Sequence, residues 1–244
     1  MSTCQLSVIM NVYNGEKYLE EAVISVLQQT FRNFEFIIVD DGSTDRTPTI
    51  LDRLATEDSR LRVIHQENQG IYAAKNNGLR QARGTFVALM DADDIAVPGR
   101  LASQVAFLQE NPDTLAVGSS LCYMDEEGRI LKDSDNRPTD SAVIESALLR
   151  GKCIVAQPTA MMRREAFDLV GGYDETFPVA GDYDFWLRLS EHGKLANVPE
   201  PVIRYRLHPR AVSSSTAKQQ QEHAQRALEA AYARRKLEGP APTI

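Results

Sequence analysis

The hydrophobic pattern of the first hundred or so residues alternates between two rhythms. Near-continuous apolar runs rich in β-branched residues occupy 6–12 (LSVIMNV), 34–39 (FEFIIV), 61–65 and 85–90, and each reads as a strand. Between them apolar residues recur at helical spacing. Leu19, Ala22, Val23, Val26 and Leu27 mark a helix over 18–29, Ile50, Leu51 and Leu54 mark a second, and 71–82 forms a third. Pro48 suits a first helical turn, with Thr47 as its N-cap. Strand and helix alternate four times in about 90 residues, which predicts a mostly parallel sheet covered by helices.

The pattern is less regular beyond Asp94. It predicts a helix over 101–109, strands over 117–124 and 129–132 around a turn at 125–128, and a helix over 141–149. A strand follows at 159–162, then a short helix over 164–169 closed by Gly171-Gly172, and a helix over 184–191 that carries the only tryptophan, Trp186. A strand at 202–207 and a polar, alanine-rich helix over 218–236 complete the chain. There is no internal repeat and no linker. The reading is a single domain over 1–216, with a functional seam near 100 between two halves, followed by a terminal helix and tail at 217–244.

Composition narrows the class. Of 244 residues, 43% are hydrophobic and 25% charged, as in an average globular protein, and a chain of this length holds a core without disulfides. Apolar stretches reach only about five residues where a membrane span needs about 20. The first six residues have neither a basic segment nor an apolar one, so no secretory leader is expected. Lys plus Arg is 27 and Asp plus Glu 34, a net charge of −7, which disfavours non-specific binding of polynucleotides. Cys4, Cys122 and Cys153 are scattered with no CxxC, which suits a reducing compartment and reads as structural thiols.

In open parallel sheets ligands bind beyond the carboxyl ends of the strands. Three such ends carry polar clusters here, at 11–14, 40–45 and 91–94. GxGxxG, GxxxxGK[ST], HExxH and GxSxG are all absent, so a phosphate-bearing ligand would need something other than a glycine loop. Asp91-Ala92-Asp93-Asp94 supplies one answer. Carboxylates crowded at a strand end repel each other, and a hard divalent cation relieves that cost while leaving positions for substrate phosphates. The plain alternative is a solvated turn. Asp40-Asp41-Gly42-Ser43 can accept from a base or ribose, or simply cap a helix. Asp182 can act as a general base or as a helix N-cap, with Asp184 a first-turn acid. His208 can complete a metal site or sit as a surface residue.

The ordered set of these stretches resembles the family 2 glycosyltransferases, whose fold is called GT-A. The matching segments are Ser7-Val8-Ile9-Met10-Asn11-Val12-Tyr13-Asn14, Val39-Asp40-Asp41-Gly42-Ser43-Thr44-Asp45, Asn68-Gln69-Gly70, Ala74-Lys75-Asn76-Asn77-Gly78, Leu89-Met90-Asp91-Ala92-Asp93-Asp94, Pro98-Gly99-Arg100-Leu101 and Gly171-Gly172-Tyr173-Asp174, with 182–187 and 205–208. They run from Leu6 to Ser215 in the family's order. The resemblance implies an α/β, Rossmann-like sheet with a nucleotide-sugar half over about 1–100 and a smaller acceptor half over 101–216. It implies inverting transfer of a sugar from a nucleotide-diphosphate donor to a hydroxyl of a glycan or lipid-linked acceptor. By position, Asn11, Tyr13 and Glu16 would line the base and ribose. Asp41 would meet the base with Asp40 close by, Lys75 would face the base or diphosphate, and Asp91 would touch the ribose. Asp93 would hold Mn²⁺ or Mg²⁺ with His208 beside it, and Asp182 would be the general base.

Two positions depart from the family. Gly181 stands where glutamate is common, and Lys75 where arginine is common, which replaces a planar fork by a point charge. No QxxRW motif is present, so a single sugar per encounter is expected, on the cytoplasmic side. The basic stretch at 226–236 is a candidate contact for an anionic membrane surface or a second subunit, against the plainer reading of a solvated helix. Two other classes share these residues: a catalytically silent nucleotide-sugar-binding scaffold, and a nucleotidyltransferase, which the lack of a basic, glycine-rich triphosphate loop disfavours.

Overall fold

A computed structural model describes residues 4–211 and 216–244. The first three residues of the leader reading and the end of the matched stretches at Ser215 lie outside the described residues. The chain forms β1 (Leu6–Val12), α1 (Leu19–Leu27), β2 (Phe34–Asp41), α2 (Thr47–Glu57), β3 (Leu61–Gln66), α3 (Ile71–Arg80) and β4 (Phe86–Asp91). It continues with β5 (Ile95–Ala96), α4 (Arg100–Glu110), β6 (Thr114–Ser119), β7 (Cys122–Met124), β8 (Ile130–Lys132) and α5 (Ser141–Leu148). Then come β9 (Met161–Arg163), α6 (Arg164–Val170), α7 (Gly181–Leu189), β10 (Lys194–Val198), β11 (Ile203–Arg206) and α8 (Ala217–Arg235).

Seven strands build the main sheet in the order β10-β6-β9-β4-β1-β2-β3. β1 to β4 run parallel, and β9 lies antiparallel between β4 and β6. The near-continuous hydrophobicity of β1, β2 and β4 follows from burial on both faces. Leu6, Val8, Met10 and Val12 of β1 pack with Val23 and Val26 of α1, Leu51 of α2 and Leu101 of α4. Ile9, Ile37 and Leu89 point to the opposite face, where Leu79 of α3, Trp186 of α7 and Leu228 of α8 form a second core. A smaller sheet, β5-β11-β7-β8, stands beside the carboxyl end of β4.

Several sequence expectations shift. The run read as one strand over 117–124 is two strands in different sheets, because Ser120 and Leu121 carry the chain from one to the other. Thr47 is not an N-cap. Its hydroxyl is buried and accepts from the Gly15 N–H, while Asp45 accepts from the Thr47 N–H. The helix expected over 184–191 begins three residues earlier, which puts Asp182 in its first turn. Trp186 is fully buried in the core. β10 escaped notice because its apolar residues, Leu195, Ala196 and Val198, are few and broken by Asn197 within a polar stretch.

The terminal helix α8 docks on the body through Ala227, Leu228 and Ala231, all fully buried. Its basic residues are spent there: Arg234 pairs with Glu191, Arg235 with Glu145, and Arg226 donates to Thr176. That turns most of the basic stretch toward the protein's own acids. Among the described residues no helix is long and apolar enough to cross a membrane.

Two outcomes follow from this packing. Leu228→Ala should cost about 2–5 kcal/mol of stability, read by urea denaturation. His65 faces Asp40 across the β2–β3 pair at 2.8 Å and Asp52 at 3.1 Å, and these carboxylates, Asp40 foremost, raise its pKa. A raised histidine pKa stabilises fully at low pH, and that stability fades as pH rises through the folded-state value. His65→Asn should therefore lower the melting temperature more at pH 6 than at pH 9.

Candidate active site

The register of the parallel strands brings their carboxyl ends together. Asn11 of β1 pairs with Val39 of β2 on one side and with Asp91 of β4 on the other. The chain beyond these positions, with α3, α7 and the segment after β11, encloses a cleft of about 1230 Å³. Asn11, Tyr13, Asp41, Lys75, Asp91, Asp93, Asp182 and His208 all line it. Asn11 Oδ1 is buried, with no hydrogen-bond partner among the described residues, in a side chain that lines the cleft. Tyr13 is largely exposed at the rim.

Asp41 is a shaping residue as well as a lining one. Its Oδ1 accepts from Gln66 Nε2 and the Gln69 N–H, both at 2.8 Å, and its Oδ2 accepts from the Gly70 N–H at 2.9 Å. These bonds set the loop that opens α3. Gly42, at φ 75°, brings the backbone so close to Asn68 that a Cβ would meet its amide nitrogen at 2.7 Å. From α3, Lys75 runs beneath the cleft with a side chain 2% exposed, and its Nζ lies 3.5 Å from Asp91 Oδ1. Burial pushes the Asp91 carboxyl above the usual range, opposed by Lys75 and assisted by Asp93.

Asp93 Oδ2 lies 2.9 Å from His208 Nε2. The segment carrying His208 is fastened by Arg206, whose backbone N–H donates to Asp94 and whose Nε donates to the Asp93 carbonyl. The same guanidinium reaches Glu21 and the Glu126 carbonyl. Among the described residues no group of three or more His, Cys, Asp or Glu side chains forms a ready metal cage. The Asp93–His208 pair nevertheless fits a hexacoordinate ion. Donors at roughly 2.1 Å and right angles stand about 3 Å apart, and substrate oxygens and water would supply the rest.

Across the cleft, Asp182 projects from the first turn of α7. Burial pushes its carboxyl up, while the Tyr183 backbone N–H and the Lys75 ammonium hold it down. Cys153 lies alongside, its Sγ 4.0 Å from Asp182 Oδ2, and burial next to that carboxylate keeps the thiol protonated.

Two sequence expectations fail here. Glu16 does not line the cleft. Its carboxylate accepts from the backbone and Nε of Arg46, and its N–H donates to Asp45, so it locks the β1–α1 loop onto the start of α2. Asp40 is 2% exposed and faces the other way, to His65 and the Ser43 N–H, because successive strand residues alternate faces. Arg100, from the matched segment 98–101, is buried beneath β4 and donates to the Leu89 carbonyl, and burial pulls its pKa down to about 9. Sequence reading also passed over Tyr72, which lines the cleft one helical turn before Lys75; that i, i+3 spacing was the available signal.

The model of the family described as "Glycosyl transferase family 2" matches residues 7–171. An uncharacterized glycosyltransferase of Haemophilus influenzae is 34% identical over 239 residues, covering 93% of this chain and 73% of the relative. One of Methanocaldococcus jannaschii is 32% identical over 219 residues, covering 88% and 75%. Among solved structures, S. aureus TarS 1-349 in complex with UDP-GlcNAc superposes with a TM-score of 0.74 at 23% identity, covering 93% of this chain and 66% of that one. Mannosyltransferase PcManGT from Pyrobaculum calidifontis, in complex with GDP-Man and Mn²⁺, gives 0.71 at 22%, covering 99% and 67%. The chain thus spans about two thirds of the solved chains it matches. By the family model and these relatives the chain belongs to the glycosyl transferase family 2, and it has the GT-A fold.

Proposed function

We propose that the cleft binds a nucleotide-diphosphate sugar and passes the sugar, with inversion, to a hydroxyl of a glycan or lipid-linked acceptor. One observation carries this reading: Asp41, Asp91 and Asp93 from two strand ends and Asp182 from a helix across the sheet line a single cavity. The relatives' complexes, UDP-GlcNAc on TarS and GDP-Man with Mn²⁺ on PcManGT, supply the ligand class.

The donor's base and ribose lie over Asn11, Tyr13 and Asp41. The orphaned Asn11 oxygen is suited to a base N–H or ribose hydroxyl, and Asp91 is placed for the ribose. Asp93 and His208 hold Mn²⁺ or Mg²⁺, which when bound supplies positive charge against the diphosphate leaving group. Lys75 lies 3.5 Å from Asp91 in the floor and partly offsets the rise that burial imposes on its carboxyl. Held at both ends, the donor presents its anomeric carbon in one orientation. Asp182, with a carboxyl made more basic by burial, takes the proton of the attacking hydroxyl on the opposite face. A single displacement inverts the centre.

Asp93→Ala should lose at least about tenfold in Mn²⁺-dependent affinity for UDP-GlcNAc or GDP-mannose by calorimetry. Undiminished affinity would remove Asp93 from the metal role. Asp182→Asn should bind donor as the native protein does and turn over about 10²–10⁴-fold more slowly. A native protein that binds donor and yields neither free nucleoside diphosphate nor product would instead be a silent scaffold.

A further inference from the structure

Gly181 and Tyr72 explain each other. A Cβ on Gly181 would lie 2.7 Å from Cε2, 2.8 Å from Cζ and 3.0 Å from Cδ2 of Tyr72. A side chain at 181 would therefore evict the ring, and with glycine there the ring closes over the start of α7. The Tyr72 hydroxyl accepts from the Gly181 N–H at 2.8 Å and the Asp182 N–H at 3.3 Å. These belong to the four N–H groups that a helix start leaves without intrahelical acceptors. Ala180, at the N-cap position with φ 59°, has no side-chain oxygen to offer them.

A carboxylate in a first helical turn is drawn toward such donors. Here a distant tyrosine takes the Gly181 and Asp182 N–H groups, and the Asp182 carboxylate keeps the Tyr183 N–H and lines the cleft. The tyrosine is itself held firmly. Its ring stacks on Tyr173 at 5.3 Å, and Tyr173 stacks on Phe185 of α7 at 4.6 Å. Its backbone belongs to the turn of α3 that follows the loop gripped by Asp41.

We infer that Tyr72 is a positioning residue for Asp182: its hydroxyl takes the first two N–H groups of α7, so that the carboxylate, steadied by the Tyr183 N–H, is not drawn further onto the helix start and meets the acceptor hydroxyl. The inference rests on Asp182 being the base. Glycine at 181 is then the condition for this arrangement and no sign of lost activity. The titratable groups facing Asp182 are Tyr72 and Lys75 from α3, Asp91 from β4, Cys153 from the segment after α5, and Tyr173 from the segment before α7. Tyr72→Phe removes one hydroxyl and leaves the other four in place.

The test uses the full chain with Mn²⁺ and either UDP-GlcNAc or GDP-mannose. In Tyr72→Phe the orphaned N–H groups recruit the carboxylate, and hydrogen bonds to the charged form lower its pKa. Turnover should fall about ten- to hundredfold with donor affinity unchanged. The acidic limb of the kcat profile, and the Asp182 signal in a carbon-13 NMR titration, should move about one pH unit lower. Gly181→Ala, which displaces the ring while keeping the hydroxyl in the chain, should give the same titration shift and serves where Tyr72→Phe does not fold. An Asp182 titration identical in the native protein and the folded variants overturns the inference. A native protein with no turnover overturns the base assignment, while the NMR titration still decides whether Tyr72 sets the carboxylate.

Discussion

The cleft depends on one constraint, the level ending of parallel strands. β1 and β4 keep Asn11 beside Asp91, and β1 and β2 keep Asn11 beside Val39, two residues before Asp41. Helices cover both faces of these strands, so their interiors have no solvent-facing position at which a polar side chain could work. Polar chemistry is confined to the strand ends, and the backbone ladder fixes those ends to within a residue. A one-residue slip of register would turn Asp41 or Asp91 to the opposite face.

Acidic groups gathered this way must each find compensation, and they divide by the partner they find. Asp40 is buried against His65 and stiffens the scaffold. Asp41 is taken up by three N–H donors and shapes the approach to α3. Asp91 leans on Lys75, whose burial would be costly without that carboxylate. Asp94 is wholly buried and takes the Arg206 N–H, which ties the smaller sheet to the end of β4. The Asp93 carboxylate lies 2.9 Å from His208, a neighbour that a cation can join, and is about a third exposed. Asp40, Asp41 and Asp94 are nearly or wholly buried, whereas Asp91 and Asp93 each keep about a third of the side chain exposed.

On the far side α3 is the common carrier. Its first turn presents Tyr72 to the N-terminus of α7, and its second presents Lys75 to the end of β4. The loop held by Asp41 sets where that helix starts. The nucleotide side and the base side of the cleft are thus fastened to one rigid element, and Gly181 is small because that element passes so close.

The alternation of apolar runs and helical spacing by itself determined the parallel β1–β4 core, since doubly buried strands and one-sided helices carry distinct periodicities. The clusters at 11–14, 40–45 and 91–94 likewise marked the binding edge, because strand ends are where a covered sheet can be polar. Tertiary structure alone decided which acids serve. Asp40 and Asp41 are neighbours of one residue type, and only the direction of the pleat tells the buried one from the lining one. Glu16 looked like a ligand residue until the loop after β2 claimed it through Arg46. Tyr72 and Gly181 stand 109 residues apart, so their mutual fit leaves no mark in local spacing. Periodicity records which face of an element is buried; it does not record what the opposite element brings to meet it.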